Sequence, residues 1–212
     1  MTDTLFLDRK KVLANRTILV KVKGKIIADT SVLRDYCEIK KIETACKEGC
    51  PNYENKWSCP PYAKSFLSIE KKYSKAFLLC FSTEMDYYSD VKNMYLAVKA
   101  ANVTLKTLIE RCARSIEEGT NGYSLLSGSC RLCKPCKCKN RQPCKHPDKM
   151  RYSMEATGLN VQKVCSDFLK HRLLWYENKK LPQYTSVVVL ILSNQYFDMN
   201  ELSAIINKTI EG

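Results

Sequence analysis

Twelve cysteines stand in a chain of 212 residues, and eight of them crowd into two short segments that also hold six of the seven prolines. The first segment reads Cys46-x3-Cys50-Pro51, then Trp57-x-Cys59-Pro60-Pro61-Tyr62. The second reads Cys130-x2-Cys133-x2-Cys136-x-Cys138-x5-Cys144-x-His146-Pro147. Proline lacks an N–H and fixes φ, so neither segment is expected to continue a helix or a strand. Both are read as loops, near 45–62 and 128–147, shaped by what they bind.

Compartment decides what the thiols are for. The N-terminus, Met1 to Lys10, shows no basic stretch followed by a long apolar one and no small-residue cleavage site, so a cytoplasmic protein is expected. The most apolar runs, Ala76 to Phe81 and Val187 to Leu192, fall far short of the roughly 20 residues that span a bilayer, and no membrane is expected. A reducing cytosol does not sustain structural disulfides, which leaves metal binding or catalysis.

Three cysteines at two-residue spacing, Cys130, Cys133 and Cys136, are the ferredoxin-like arrangement for a cubane cluster. Cys144 lies further on than a ferredoxin's fourth cysteine, and either closes that cluster or serves another. Cys46, Cys50 and Cys59, at C-x3-C-x8-C, form a second triad. Its spacing is not the C-x3-C-x2-C of radical S-adenosylmethionine enzymes. Its fourth ligand is Cys37, Cys138 or none, the last leaving a metal open to solvent or substrate. Zinc held by four cysteines, or by three and a histidine, uses similar pairs merely to brace a loop. One or two [4Fe-4S] clusters rank first, zinc second and disulfides third. Cys80, Cys112 and Cys165 fall on apolar faces and read as small buried residues. His146 and His171 are too few for a histidine-based site, although His146 is placed to orient the second loop. Trp57 and Tyr62 are read as shields, and Glu155 as a helix cap or a group acting on substrate.

Around these loops the pattern is that of one mixed domain, α+β or α/β, over residues 1–212, with a mixed sheet and flanking helices. Residues 17–28 read as a hairpin turning at Lys23-Gly24-Lys25, with a helix after the possible caps Asp29, Thr30 and Ser31. Strands are expected at 75–82, 122–127 and 184–193, and helices near 63–73, 158–174 and 199–210. Between the first two strands, Val91, Met94, Tyr95, Val98, Leu105, Leu108, Ile109, Cys112 and Ile116 mark one face of a helix over 89–118, stopped by Gly119. That β-α-β order leads straight into the second cysteine segment.

The motifs together, from Cys46-x3-Cys50-Pro51-x-Tyr53 through Gly128-x-Cys130-Arg131-Leu132-Cys133 to Ser153-Met154-Glu155-Ala156-x-Gly158, resemble the cysteine-rich "predicted metal-binding protein" family, domain of unknown function 2284, of anaerobic bacteria and archaea. The likeness runs from about residue 40 to 165. It implies metal binding, with iron–sulfur chemistry suited to an anaerobic setting. It also implies that Cys46, Cys50, Cys59, Cys130, Cys133, Cys136 and Cys144 are the matching cysteines. Ser129 and Tyr152 stand where prolines are expected, and Thr157 where the family commonly has a further cysteine.

Three function classes follow. The first is an iron–sulfur protein passing electrons, with a formal charge of +13 suited to an acidic redox partner. The second is an enzyme whose open cluster iron takes a small-molecule substrate. The third is a zinc-braced nucleic-acid binder, which Lys134, Lys137, Lys139, Arg141 and Lys145 encourage. It ranks last, because lysines paired along the chain read as a solvated surface and no basic recognition helix accompanies them.

Overall fold

In the computed structural model, residues 3–212 are described; Met1 and Thr2, the start of the segment read for an export signal, lie outside them. Five strands form one sheet in the order β1-β2-β3-β5-β4, with every neighbouring pair antiparallel. They are β1 (Thr4–Val12), β2 (Thr17–Ile27), β3 (Lys75–Glu84), β4 (Tyr123–Leu125) and β5 (Tyr184–Ser193). Because β3 and β4 both run antiparallel to β5, they are parallel to each other, and the long helix between them is the crossover of a β-α-β unit. The architecture is α+β: helices flank the sheet and the cysteines lie in the connections.

The central strands β3 and β5 are apolar without interruption because both of their faces are covered. Phe77, Leu79 and Phe81 of β3, with Val187, Val189 and Ile191 of β5, point to one side. There they meet α3 (Met94–Gly119) and α5 (Met199–Glu211) through Leu105, Ile109, Leu202 and Ile206. Ala76, Leu78 and Cys80, with Val188, Leu190 and Leu192, point to the other. This side packs on Leu33, Phe66, Met154, Val164 and Cys165, from the segments that frame the cysteine loops, among them α2 (Phe66–Ile69) and α4 (Val161–Leu169). Each such aromatic or branched side chain removed from water contributes about 1.5–3 kcal/mol.

Several expectations change. Residues 17–27 form one continuous strand and not a hairpin. Gly24 is needed for close approach: a Cβ there would lie 2.7 Å from Cζ of Phe77, so its absence lets the ring cross the strand. The real hairpin joins β1 to β2, where the Leu13 N–H donates to the Arg16 carbonyl at 2.8 Å. The segment after Asp29 is a 3-10 helix, Thr30–Tyr36, capped by the Asp29 carboxylate accepting from the Ser31 N–H. Helix α3 begins at Met94, where Asn93 accepts from the Leu96 N–H, so Met94 and Tyr95 sit in the exposed first turn and not on the core face. The helix expected at 63–73 is α2 followed by a 3-10 turn, Glu70–Lys72, and that at 158–174 shortens to α4, opened by Asn160.

Two devices hold the second cysteine loop to the sheet. Leu126, just past β4, donates its N–H to the Tyr152 carbonyl at 2.8 Å and accepts from the Met154 N–H at 3.2 Å, so the whole excursion from 127 to 151 closes at its base. Beside it, the Arg151 guanidinium pairs with the Glu117 carboxylate, which also accepts from the Ser124 N–H of β4 at 2.9 Å.

Candidate metal centre

The first triad begins on a helix, which corrects the reading of 45–62 as irregular throughout. Helix α1 (Ile39–Gly49) carries Cys46 in its last turn, and Cys50 caps it, its N–H donating to the Cys46 carbonyl at 3.0 Å. The chain then turns tightly, with the Tyr53 N–H on the Cys50 carbonyl at 3.1 Å and the Glu54 N–H on that of Pro60 at 3.1 Å. This folding returns Cys59 towards the end of the helix. Burial raises the Cys59 thiol first, with Cys50 and Cys46 adding to it, and burial followed by Cys50 raises that of Cys46. The three thiols thus share one electrostatic neighbourhood.

In the second loop, burial raises the Cys130 thiol and the Leu132 N–H offsets part of that, with Cys133 and Cys144 adding to the rise. Cys136 opens a 3-10 turn, Lys137–Asn140, and lies beside Cys138. All twelve cysteines are free.

The two loops are fastened face to face. The Cys130 peptide is held on both sides by residues flanking Cys59: its N–H donates to Ser58 Oγ at 3.0 Å and its carbonyl accepts from Lys56 Nζ at 2.7 Å. Trp57 Nε1 donates to the Gln142 carbonyl at 2.8 Å, and its ring meets that of Tyr62 with centroids 4.7 Å apart. Cys138 Sγ donates to the Glu54 carbonyl at 3.4 Å. The residues between Cys50 and Cys59 therefore act as the clamp. Trp57 was expected to shield the site and also bridges it; Ser58 and Lys56 carry no motif by which a sequence would single them out.

The remaining candidates separate. Cys37 lies apart from both triads, its Sγ against the Leu33 carbonyl at 3.8 Å, and burial pushes its thiol up to about 11. Cys80 and Cys112 are fully buried, with thiols pushed up to about 12 and about 11, and Cys165, equally buried, rises too. His171 is buried against Ser186 Oγ at 2.8 Å, and His146 is exposed. Glu155 caps no helix, since Asn160 fills that place for α4.

An all-thiolate donor set on short loops suits a soft or borderline metal, and thiolates replace the costly unpaired state of these thiols once a cation binds. The residues fit such a group. Among the described residues no three His, Cys, Asp or Glu side chains are yet gathered to hold an ion; sulfur ligands at about 2.3 Å from a metal require the side chains to close inward. Beside the second loop a cavity of about 670 Å³ is lined by Lys64, Lys72, Tyr73, Tyr123, Arg151 and Tyr152. Among the described residues no helix is long and apolar enough to cross a membrane.

No curated protein and no solved structure matches the chain. A family model described as "Predicted metal-binding protein (DUF2284)" matches residues 34–192, a span that takes in both cysteine loops, β3, α3, β4, α4 and nearly all of β5. With well over half of its length matched, the chain belongs to this predicted metal-binding family.

Proposed function

We propose that the chain holds one or two [4Fe-4S] clusters on Cys46, Cys50, Cys59, Cys130, Cys133, Cys136 and Cys144, and that it passes single electrons to an acidic partner protein in an anaerobic cytoplasm. The observation that carries this reading is the clamp around Cys130, which joins two thiol-rich loops into one site. A cluster there would sit near the surface while backbone N–H groups, such as that of Leu132, tune its sulfurs. Lys134, Lys139, Arg141 and Lys145 are exposed on the second loop, and a basic rim of this kind steers an acidic partner towards the electron-exchanging edge.

The test is a reductive titration of protein purified without oxygen, followed by electron paramagnetic resonance. One unpaired electron per cluster, appearing and disappearing reversibly without any substrate, is the expected result. A protein that takes up no electron down to strongly reducing potential contradicts it.

A second reading, an iron–sulfur enzyme acting on a small molecule, is favoured by the cavity near Cys144. Two lysines, three tyrosines and the half-buried Arg151 would accept a small anionic substrate there. A change in the cluster's spectrum on adding small carboxylates or phosphates distinguishes it.

A further inference from the structure

Among the described residues, β1 is the outer strand of the sheet, with no strand on its far side. It also lacks the usual protections of an edge. Its nine residues include no proline, and its register with β2 runs from Thr4 to Val12 without a bulge. At one end the Asp3 carbonyl accepts from the Ile26 N–H at 2.8 Å, and at the other the Leu13 N–H donates to the Arg16 carbonyl at 2.8 Å. Bonded and non-bonded residues alternate in an antiparallel ladder. The odd-numbered residues of β1 therefore direct their N–H and C=O groups to β2, and the even-numbered ones turn theirs outwards. One of these outward carbonyls, that of Asp8, takes Nη1 of Arg9 at 2.9 Å and keeps a second lone pair.

The side chains of the even-numbered residues lie on the face that bears the cysteine loops, beside Lys21, Lys23 and Lys25 of β2. Phe6 is 64% exposed and Val12 72%, with Asp8 and Lys10 exposed between them. This order is self-complementary. Run antiparallel against itself and centred on Arg9, the strand sets Asp8 opposite Lys10 of the second copy and Phe6 opposite its Val12, each pair occurring twice. Opposite charges and an aromatic against a β-branched residue are both favourable cross-strand pairs, and outward backbone groups meet outward ones. Centring on Asp8 or Lys10 would oppose like charges, and centring on Leu7 or Lys11 would oppose a charge and an apolar side chain. Lys21, across from Asp8 on β2, is engaged with Glu84 at 2.6 Å, which leaves Asp8 to Lys10. On the other face Arg9 meets Arg9 at the two-fold, each held by Asn207 Oδ1 at 2.6 Å with Glu211 at 4.0 Å.

We propose that two copies of the chain join through β1, antiparallel and centred on Arg9, into a two-fold dimer whose five-stranded sheets run on as one. The two-fold stands perpendicular to the sheet, so the cysteine-loop faces of both copies look the same way and the dimer offers both sites on one side. No cysteine takes part in the joint, which forms whichever metal the loops hold.

The test is sedimentation velocity of full-length protein over about 1–100 μM, with a reductant to prevent intermolecular disulfides and at physiological ionic strength to screen a formal charge of +13 per chain. The native chain is expected to reach the mass of two copies at the upper concentrations. Asp8→Lys and Lys10→Asp, each of which opposes like charges at both ion pairs, are each expected to weaken association by at least about tenfold. The double swap Asp8→Lys with Lys10→Asp restores both pairs and should restore the dimer. Melting of each variant checks the fold, and all three positions of the argument, Asp8, Lys10 and a separate Phe6→Asp that opposes Val12, are exposed. A native chain that stays monomeric throughout would overturn the proposal, as would a dimer that neither single swap weakens or that the double swap fails to recover.

Discussion

At the scale of single residues, the chain spends its buried polar groups on holding loops rather than on filling a core. His171 is the clearest case of a buried ionisable group with a measurable consequence. Its ring lies against Ser186 Oγ and the ring of Tyr184, centroids 5.3 Å apart. Burial, with Lys23 adding to it, lowers its pKa to about 4. Unfolded, the same imidazole titrates near 6.5. The unfolded chain therefore binds a proton that the folded chain refuses between those values, so stability is present above pH 6.5 and is lost as pH falls towards 4, by roughly 3 kcal/mol in all. Denaturant unfolding from pH 7 to pH 4.5 should show this loss, and His171→Gln, which can still reach Ser186, should flatten the slope; an unchanged slope would place the acid sensitivity elsewhere. The roles of Cys80, Cys112 and Cys165 as small core residues are legible in the sequence from their apolar neighbours. The clamp residues Lys56 and Ser58 are not, because their partners are the backbone atoms of a residue more than seventy positions away, and no local pattern encodes that.

At the scale of elements, helix α1 stands out because it carries Cys46 and buries none of its residues. Its anchors are peripheral: Glu38 pairs with Lys163 at 2.5 Å and Lys41 at 3.0 Å, and Gly158 meets Ile39. An isolated helix of eleven residues is marginal in water, so its order depends on the site it serves. On metal removal, amide hydrogen exchange should accelerate across 39–62 and 128–147 while β3, β5 and α3 stay protected; equal protection with and without metal would mean that the loops are self-supporting. The sequence reveals β3, β5 and α5 because uninterrupted apolar runs and helical periodicity each have a single reading. It conceals β1, an edge strand whose alternate residues Phe6, Asp8, Lys10 and Val12 are all exposed, so that no apolar face marks it. It also misleads at Gly24, since a glycine between lysines looks like a turn unless the ring of Phe77 across the sheet is known. The helical character of α1 is masked by the prolines that follow it.

At the scale of the whole molecule, a sheet covered on both faces forms a stable platform, and the two cysteine loops are gathered at one place on it by crossover, clamp and closed base. Two triads, seventy to ninety residues apart in sequence, are brought by the clamp into one thiol-rich region with a basic rim. The cysteine spacing made the two clusters legible from the start, whereas their pairing face to face needed the fold. The central claim, that this surface holds cubane clusters, is tested most directly by iron, zinc and acid-labile sulfide content, measured on full-length protein purified without oxygen. Near-equal iron and sulfide, at about four or eight of each per chain with a broad visible absorption band, is the predicted result. Zinc without sulfide would contradict it, and would make both loops structural braces for a chain whose positive charge then points to nucleic acid.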